Sequence, residues 1–140
     1  MNRTALLKWL PADKHDLERV EALVRLGYPA VESILYELYE CVQDINWPIA
    51  RVVAPFLVSI GFAAEKEVRE IFRGADSVWK YWVIQAVIAN MPPAEGRKFI
   101  SLWRSCKKQE RSHRMCGAAK WPQKTCAGKD HGGFCRRALY

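Results

Sequence analysis

Apolar residues recur along most of the chain at intervals of three and four, the period of an amphipathic helix. The clearest stretch runs from Asp44 to Gly61, where six apolar positions follow that period. They are Ile49, Val52, Val53, Phe56, Leu57 and Ile60. The stretch opens on polar residues, carries Pro48 in its first turn and ends at a glycine. It predicts the central helix of the molecule.

Similar stretches lie on both sides of this helix, and short breaks join them in pairs. The first pair follows Asp13 and turns at Gly27. The second pair consists of the central helix and a helix over residues 63–73. The third pair follows Asp76 and breaks at residues 90–93. Because the joins are only a few residues long, the two helices of each pair should lie antiparallel.

The start of the central helix is repeated later in the chain. The run from Asp44 to Trp47 is echoed by the run from Asp76 to Trp79, and Asp13 precedes Asp44 by a similar interval. The expected helix caps are Asp13, Asn46 and either Asp76 or Ser77. A period of about 30 residues predicts an all-α fold, a right-handed α-α superhelix of about three antiparallel HEAT-like hairpins.

The first helix of the third pair is apolar on nearly every side. Trp79 and Trp82 lie on one face, while Val78 and Tyr81 make the opposite face apolar as well. A helix of this composition is normally buried on both sides. We therefore expect other parts of the protein to cover both of its faces.

Four short motifs carry a resemblance to a known family. They are Asn46-Trp47-Pro48, Val78-Trp79-Lys80-Tyr81-Trp82, Leu26-Gly27-Tyr28-Pro29 and Leu57-Val58-Ser59-Ile60-Gly61. With these motifs, residues 10–103 resemble a bacterial family of small HEAT-like proteins that is classed as a domain of unknown function. The resemblance implies the helical stack. It implies no activity, substrate or catalytic residue.

Charge divides the chain into two parts. Residues 1–103 carry 12 Lys/Arg against 13 Asp/Glu, whereas residues 104–140 carry 10 against 2. We therefore predict a helical domain over residues 1–110 and a basic tail over residues 111–140, mostly coil or disordered. The longest apolar stretch, residues 52–64, is shorter than the roughly 20 residues of a membrane span. We expect a cytoplasmic protein with no membrane partner and no cofactor.

Tryptophans at the helix starts are the candidate binding residues. Trp47, Trp79 and Trp82, together with Lys80, could form an aromatic and basic edge, because aromatic residues are strong anchors at interfaces. The alternative is that the tryptophans hold adjacent pairs together.

Catalysis has little support in the sequence. Asp44 and Asp76 would need a substrate pocket between pairs, and helix capping explains both of them. The chain also lacks a glycine-rich phosphate loop after a predicted strand. We therefore expect a protein that is not an enzyme.

The tail offers two further hypotheses. A zinc site could use His113, Cys116, Cys126 and Cys135, with His131 as a further ligand, but only His113 and Cys116 have the tight spacing that zinc sites favour. The alternative is a flexible tail with free thiols. The positive charge of residues 104–140 could instead bind nucleic acid through its phosphates.

Two function hypotheses follow. The first is a non-catalytic module that docks another protein, either through the tryptophan edge or through an acidic face formed by Glu32, Glu37 and Glu40. The second is nucleic-acid binding through the basic tail, with the helical stack as its platform. The first is the leading hypothesis, because the alternative to nucleic-acid binding is a basic tail that is merely solvated.

Overall fold

The computed structural model describes the backbone of residues 2–114 and the side chains of residues 2–105. Every regular element within these residues is helical, and none of them is a strand. This confirms the predicted all-α class. The described helices form one continuous core of aliphatic and aromatic side chains.

The first pair follows a short lead-in helix. Helix α1 (Arg3–Leu7) packs on the start of the second helix of this pair. Helix α2 (Leu17–Leu26) is followed by a turn and a 3-10 turn (Glu32–Ile34), which leads into α3 (Leu35–Glu40). The helix that the sequence predicts from Pro29 therefore begins later. Pro29 follows a cis peptide bond and lies in the turn.

The second pair has the longest apolar helix. Helix α4 (Pro48–Ile60) ends at Gly61, as predicted. A 3-10 turn (Gly61–Ala64) carries the chain into α5 (Glu65–Arg73), which buries Val68, Ile71 and Phe72. The predicted helix over residues 63–73 is confirmed in position and in its buried face.

The third pair begins regularly and then changes its helical period. Helix α6 (Ser77–Trp82) continues as a π-helical turn (Val83–Val87) and a 3-10 turn (Ile88–Asn90). Helix α7 (Pro93–Arg114) follows and buries Phe99 and Leu102. The sequence predicts an ordinary α-helix here, because periodicity alone does not distinguish one wider turn.

Two predictions about helix ends are wrong. Asp16, rather than Asp13, caps α2, since its carboxylate accepts the backbone N–H of Arg19. Trp47, rather than Asn46, precedes α4, and its side chain makes no capping bond. At both helix starts, more than one residue that could cap the helix lies within a few positions. The path of the turn in the folded protein determines which residue takes the cap position. The cap predicted at Asp76 is confirmed.

The boundary between the helical domain and the predicted tail also moves. Residues 111–114, predicted as the start of the tail, are the last turn of α7. Helix continues there because the run Arg-Ser-His-Arg contains neither glycine nor proline. The prediction of coil or disorder for residues 115–140 lies outside the residues that the structure describes.

Contacts between pairs follow a simple order. The first helices contact one another in sequence, α2 against α4 and α4 against the π-helical turn after α6. The second helices do the same, α3 against α5 and α5 against α7. A backbone hydrogen bond also joins the starts of α2 and α4: the N–H of Ile49 donates to the carbonyl of Lys14 at 3.3 Å. Each pair therefore buries its apolar surface against the next.

The helical run Pro48–Arg73, 26 residues long, could cross a membrane by length and composition alone. Core helices of soluble proteins pass the same criterion, so one such run is weak evidence for a membrane span. In this structure the run changes direction at Gly61, where φ is +64°, and both of its helices contribute to the core.

Candidate functional site

The three aspartates that mark the sequence repeat make the same local bond. Each carboxylate accepts a hydrogen bond from the backbone N–H two residues later, which shapes the turn ahead of a helix. The bonds are Asp13 with His15 at 2.7 Å, Asp44 with Asn46 at 2.9 Å and Asp76 with Val78 at 2.9 Å. This equivalence explains the repeat in physical terms. It also gives Asp44 and Asp76 a structural role without any substrate.

Trp79 lies inside the protein and joins the first pair to the third. Its side chain is only 8% exposed, and its indole Nε1–H donates to the backbone carbonyl of Tyr39 at 2.9 Å. That carbonyl belongs to the last turn of α3, where helices leave acceptors without a partner in the helix. The ring of Tyr36 meets the indole edge-on at 5.6 Å between centroids. The structure thus places Trp79 in the core.

Trp47 and Lys80 occupy intermediate positions. Trp47 is half-buried and packs against the core at the start of α4. Its carbonyl accepts the N–H of Ala50, which begins the helix. Lys80 is half-buried on α6, next to Trp79 in the sequence. The four candidate residues therefore do not form one surface, because Trp79 is buried.

Trp82 belongs to an exposed patch instead. Its ring meets the ring of Tyr81 edge-on at 4.9 Å, and it is not among the side chains packed on the described core. Tyr81 is 48% exposed and Val78 is 59% exposed. We call Val78, Tyr81 and Trp82 the α6 edge. The expectation that both faces of this helix are covered is wrong for the α6 edge.

A second feature, which sequence reasoning missed, lies at the turn between α4 and α5. Glu95 on α7 accepts the backbone N–H of Phe62 at 2.8 Å through Oε2 and the ammonium of Lys98 at 3.0 Å through Oε1. The bond from Lys98, followed by that from Phe62, lowers the pKa of the Glu95 carboxyl. Phe62 also packs on Phe99 at 5.0 Å between ring centroids. Glu95 thus ties the third pair to the turn of the second.

The electrostatic environment of Tyr36 was also missed. Burial raises the pKa of the Tyr36 phenol above its ordinary value, and nearby carboxylates raise it further. Those carboxylates belong to Glu70, Glu40 and Glu37. Because Glu70 lies on α5 and the other two on α3, acidic groups of two neighbouring helices converge on this ring. Glu37 and Glu40 of the predicted acidic face therefore lie beside α5, whereas Glu32 lies in the 3-10 turn before α3.

Metal-binding groups do not assemble in the described part of the chain. No three His, Cys, Asp or Glu side chains there are placed to hold a metal ion. The zinc hypothesis concerns His113, Cys116, Cys126 and Cys135, whose side chains fall outside the described residues. Cys41 is buried, and burial raises its pKa to about 11, so it remains a thiol at neutral pH.

Comparison with known proteins supports the resemblance seen in the sequence. A search of curated proteins gives no match to the chain. A family profile described as a domain of unknown function, DUF5071, matches residues 9–119. That range includes every helix from α2 to α7. Since the match covers most of the chain, the protein belongs to the DUF5071 family.

Proposed function

We propose that the chain is a non-catalytic, HEAT-like protein-interaction module that presents the α6 edge to another protein. The repeated aspartate turn and the ordered contacts between pairs support a HEAT-like right-handed stack. In such stacks the helical pairs form a scaffold, and function depends on which side chains the scaffold leaves exposed.

The α6 edge is the single observation that carries this proposal. Val78 and Tyr81 are exposed on a helix whose other side is in the core, and Trp82 extends the same patch. Tyrosine and tryptophan are enriched at the anchoring positions of protein interfaces. Adjacent exposed apolar residues are also more informative than isolated ones, which are common on any protein surface.

A pair of double variants tests the proposal. Val78→Ser with Tyr81→Ser removes the apolar surface of the α6 edge. Leu26→Ser with Tyr28→Ser is the matched control, because Leu26 is 44% exposed and Tyr28 is 41% exposed in the first pair. We expect proteins that co-purify with the chain to be lost only from the α6 variant, with both melting temperatures near that of the wild type.

Retention of the same partners by a folded α6 variant would contradict the proposal. If both variants lose the co-purifying proteins equally, those proteins bind through non-specific apolar contacts. Two single variants, Trp47→Ala and Lys80→Ala, test in the same way the binding residues that the sequence predicts near the helix starts. Both side chains are half-buried, so neither belongs to the fully buried core.

A second candidate function has one observation in its favour. Residues 104–140 carry 10 of the 22 Lys/Arg residues and only 2 of the 15 Asp/Glu residues. Such a segment binds phosphates without sequence preference, and the affinity falls steeply with salt. Truncation after Arg114 removes five of these ten Lys/Arg residues and should therefore weaken the binding of single-stranded DNA strongly. If the folded, truncated chain binds DNA as tightly as the full chain, the residues after Arg114 are not responsible.

A further inference from the structure

A long stretch of the chain carries only negative charge. Residues 26–50 contain no Lys, Arg or His, and they contain Glu32, Glu37, Glu40 and Asp44. Helix α3 lies within this stretch and packs against α5, which brings Glu67 and Glu70 from the next pair. Glu40, Glu67 and Glu70 make no ion pair with any side chain among residues 2–105. We call Glu37, Glu40, Glu67 and Glu70 the acidic face.

One arginine of the protein itself already binds at the acidic face. The guanidinium of Arg3, on α1, donates to the Glu37 carboxylate and to the backbone carbonyl of Ser33. Guanidinium groups favour such paired acceptors. The contact shows that a side chain arriving from outside the helical pairs can be held here. Arg3 donates to only one of the two carboxylate oxygens of Glu37, which is Oε1.

Two oxygen atoms near this face lack a hydrogen-bond partner. Oε2 of Glu37 is buried and accepts no hydrogen bond from the described residues. The hydroxyl of Tyr39 is likewise unpartnered, and the Tyr39 side chain is fully buried. Burial, followed by the charge of Glu67, raises the pKa of that phenol, so a carboxylate of α5 lies near Tyr39. Buried polar atoms without partners are uncommon in native proteins.

Aromatic surface lies beside the carboxylates. Tyr36 is half-buried, among the charges of Glu37, Glu40 and Glu70, and its ring is held edge-on against Trp79. An ammonium or guanidinium group gains from both kinds of neighbour, since it pairs with carboxylates and is attracted to a ring face. The carboxylates come from two helices and do not converge tightly enough to form a metal site within the described chain.

We propose that the acidic face, with Tyr36 beside it, binds a lysine- and arginine-bearing segment of a partner protein. This rests on the proposed function, since it names the chemistry of a partner, but it concerns a surface separate from the α6 edge. A cationic segment complements Glu40, Glu67 and Glu70, which have no ion pair among residues 2–105, and it can approach Glu37, whose side chain is 16% exposed. Association should be fast and sensitive to salt, as for other charge-complementary interfaces.

The test uses the full chain and a fluorescently labelled peptide of alternating lysine and serine. Glu40→Gln with Glu70→Gln removes two charges from the acidic face. Glu18→Gln with Glu21→Gln on α2 removes the same net charge elsewhere and is the matched control. We expect the acidic-face variant to bind the peptide about tenfold more weakly. The control should bind within about twofold of the wild type.

Tyr36 variants separate the ring from the hydroxyl. Tyr36→Phe keeps the ring, and Tyr36→Leu removes it. We expect Tyr36→Leu to weaken binding about threefold and Tyr36→Phe to leave it within about twofold. Circular dichroism of each variant checks that the helices remain intact.

Three outcomes would overturn the inference. They are no binding of the peptide by the wild type, equal weakening by both double variants, and displacement by magnesium ions beyond that by sodium ions at matched ionic strength. None of them bears on the α6 edge. Loss of co-purifying partners from the α6 variant would still support the proposed function.

Discussion

At the scale of single residues, position in the helix does not determine role. Trp79 and Trp82 lie three positions apart on α6, yet Trp79 is in the core, whereas Trp82 is half-buried and packs against Tyr81 outside the core. The difference follows from the end of α3, where the carbonyl of Tyr39 accepts the indole N–H of Trp79 in addition to the backbone N–H of Val42. Sequence could predict that tryptophans open the first helices. It could not predict which of them a helix 40 residues earlier would reach.

The two tryptophans therefore respond differently to the same substitution. Trp79→Phe removes the bond to the Tyr39 carbonyl and leaves a small cavity, so we expect a loss of about 2 kcal/mol in the free energy of unfolding. Trp82→Phe should change it by less than about 0.5 kcal/mol. Urea denaturation followed by circular dichroism measures both. Equal effects would mean that Trp79 is not a structural anchor.

Glu95 gives the protein a dependence on acid pH. Its pKa is lowered by folding from an ordinary value of 4.5, so its stabilising contribution is present above that value. The contribution is lost as the pH falls through the lower, folded pKa. We expect Glu95→Gln to flatten the decline in melting temperature below about pH 4.5 relative to the wild type. Parallel curves for the two proteins would contradict this role.

At the scale of elements, the apolar pattern predicted all three pairs, but the turns required tertiary information. Gly27 and Gly61 end α2 and α4 as expected, and both have a positive φ. The pattern missed the π-helical turn after α6 and placed the cap of α2 at Asp13. Both errors occur where hydrogen bonds from neighbouring groups, rather than burial, set the local geometry.

The two glycine turns provide a matched comparison. Gly27→Ala and Gly61→Ala each force a Cβ into a conformation of positive φ and extended ψ that is nearly restricted to glycine, which costs about 1–3 kcal/mol. A Cβ at Gly27 meets no atom within 4 Å, whereas one at Gly61 meets Oε2 of Glu95 at 3.3 Å. We expect Gly61→Ala to lower the free energy of unfolding more. In a Glu95→Ala background that excess should disappear, and its persistence would exclude crowding by Glu95.

The acidic face should reduce stability while it serves binding. Burial, followed by the charge of Glu37, raises the pKa of Glu40, so the ionised form is disfavoured in the folded protein. Glu40→Gln removes that penalty and should raise the melting temperature at pH 7, an effect that fades as the pH falls through the raised pKa and is absent below the ordinary value of 4.5. A lower melting temperature at pH 7 would show that Glu40 is instead a stabilising residue.

At the scale of the whole molecule, the three pairs form one body. The Trp79 bond joins the first pair to the third, and the Glu95 bond joins the third to the second. The repeat predicted from sequence implies that each pair needs its neighbours, because one pair alone would leave its apolar face exposed. Neither cross-link was predictable, since both depend on side chains brought together only by packing.

The function is harder to derive than the fold for a related reason. Packing residues follow a period that can be counted along the chain, whereas binding surfaces are exceptions to that period. The acidic character of α3 was visible in Glu37 and Glu40, but its continuation onto α5 required the helix contact. The sequence shows that α6 is apolar on nearly every side. Only the structure shows which side is left exposed as the α6 edge.

Residue-resolved amide hydrogen exchange under native conditions tests most directly whether the pairs depend on one another. We expect the most protected amides of α2, α4 and α6, together with the indole N–H of Trp79, to share one free energy of opening within about 1 kcal/mol. Exchange of the α6 amides and the Trp79 indole at a much lower free energy, while α2 and α4 stay protected, would contradict a single interdependent stack.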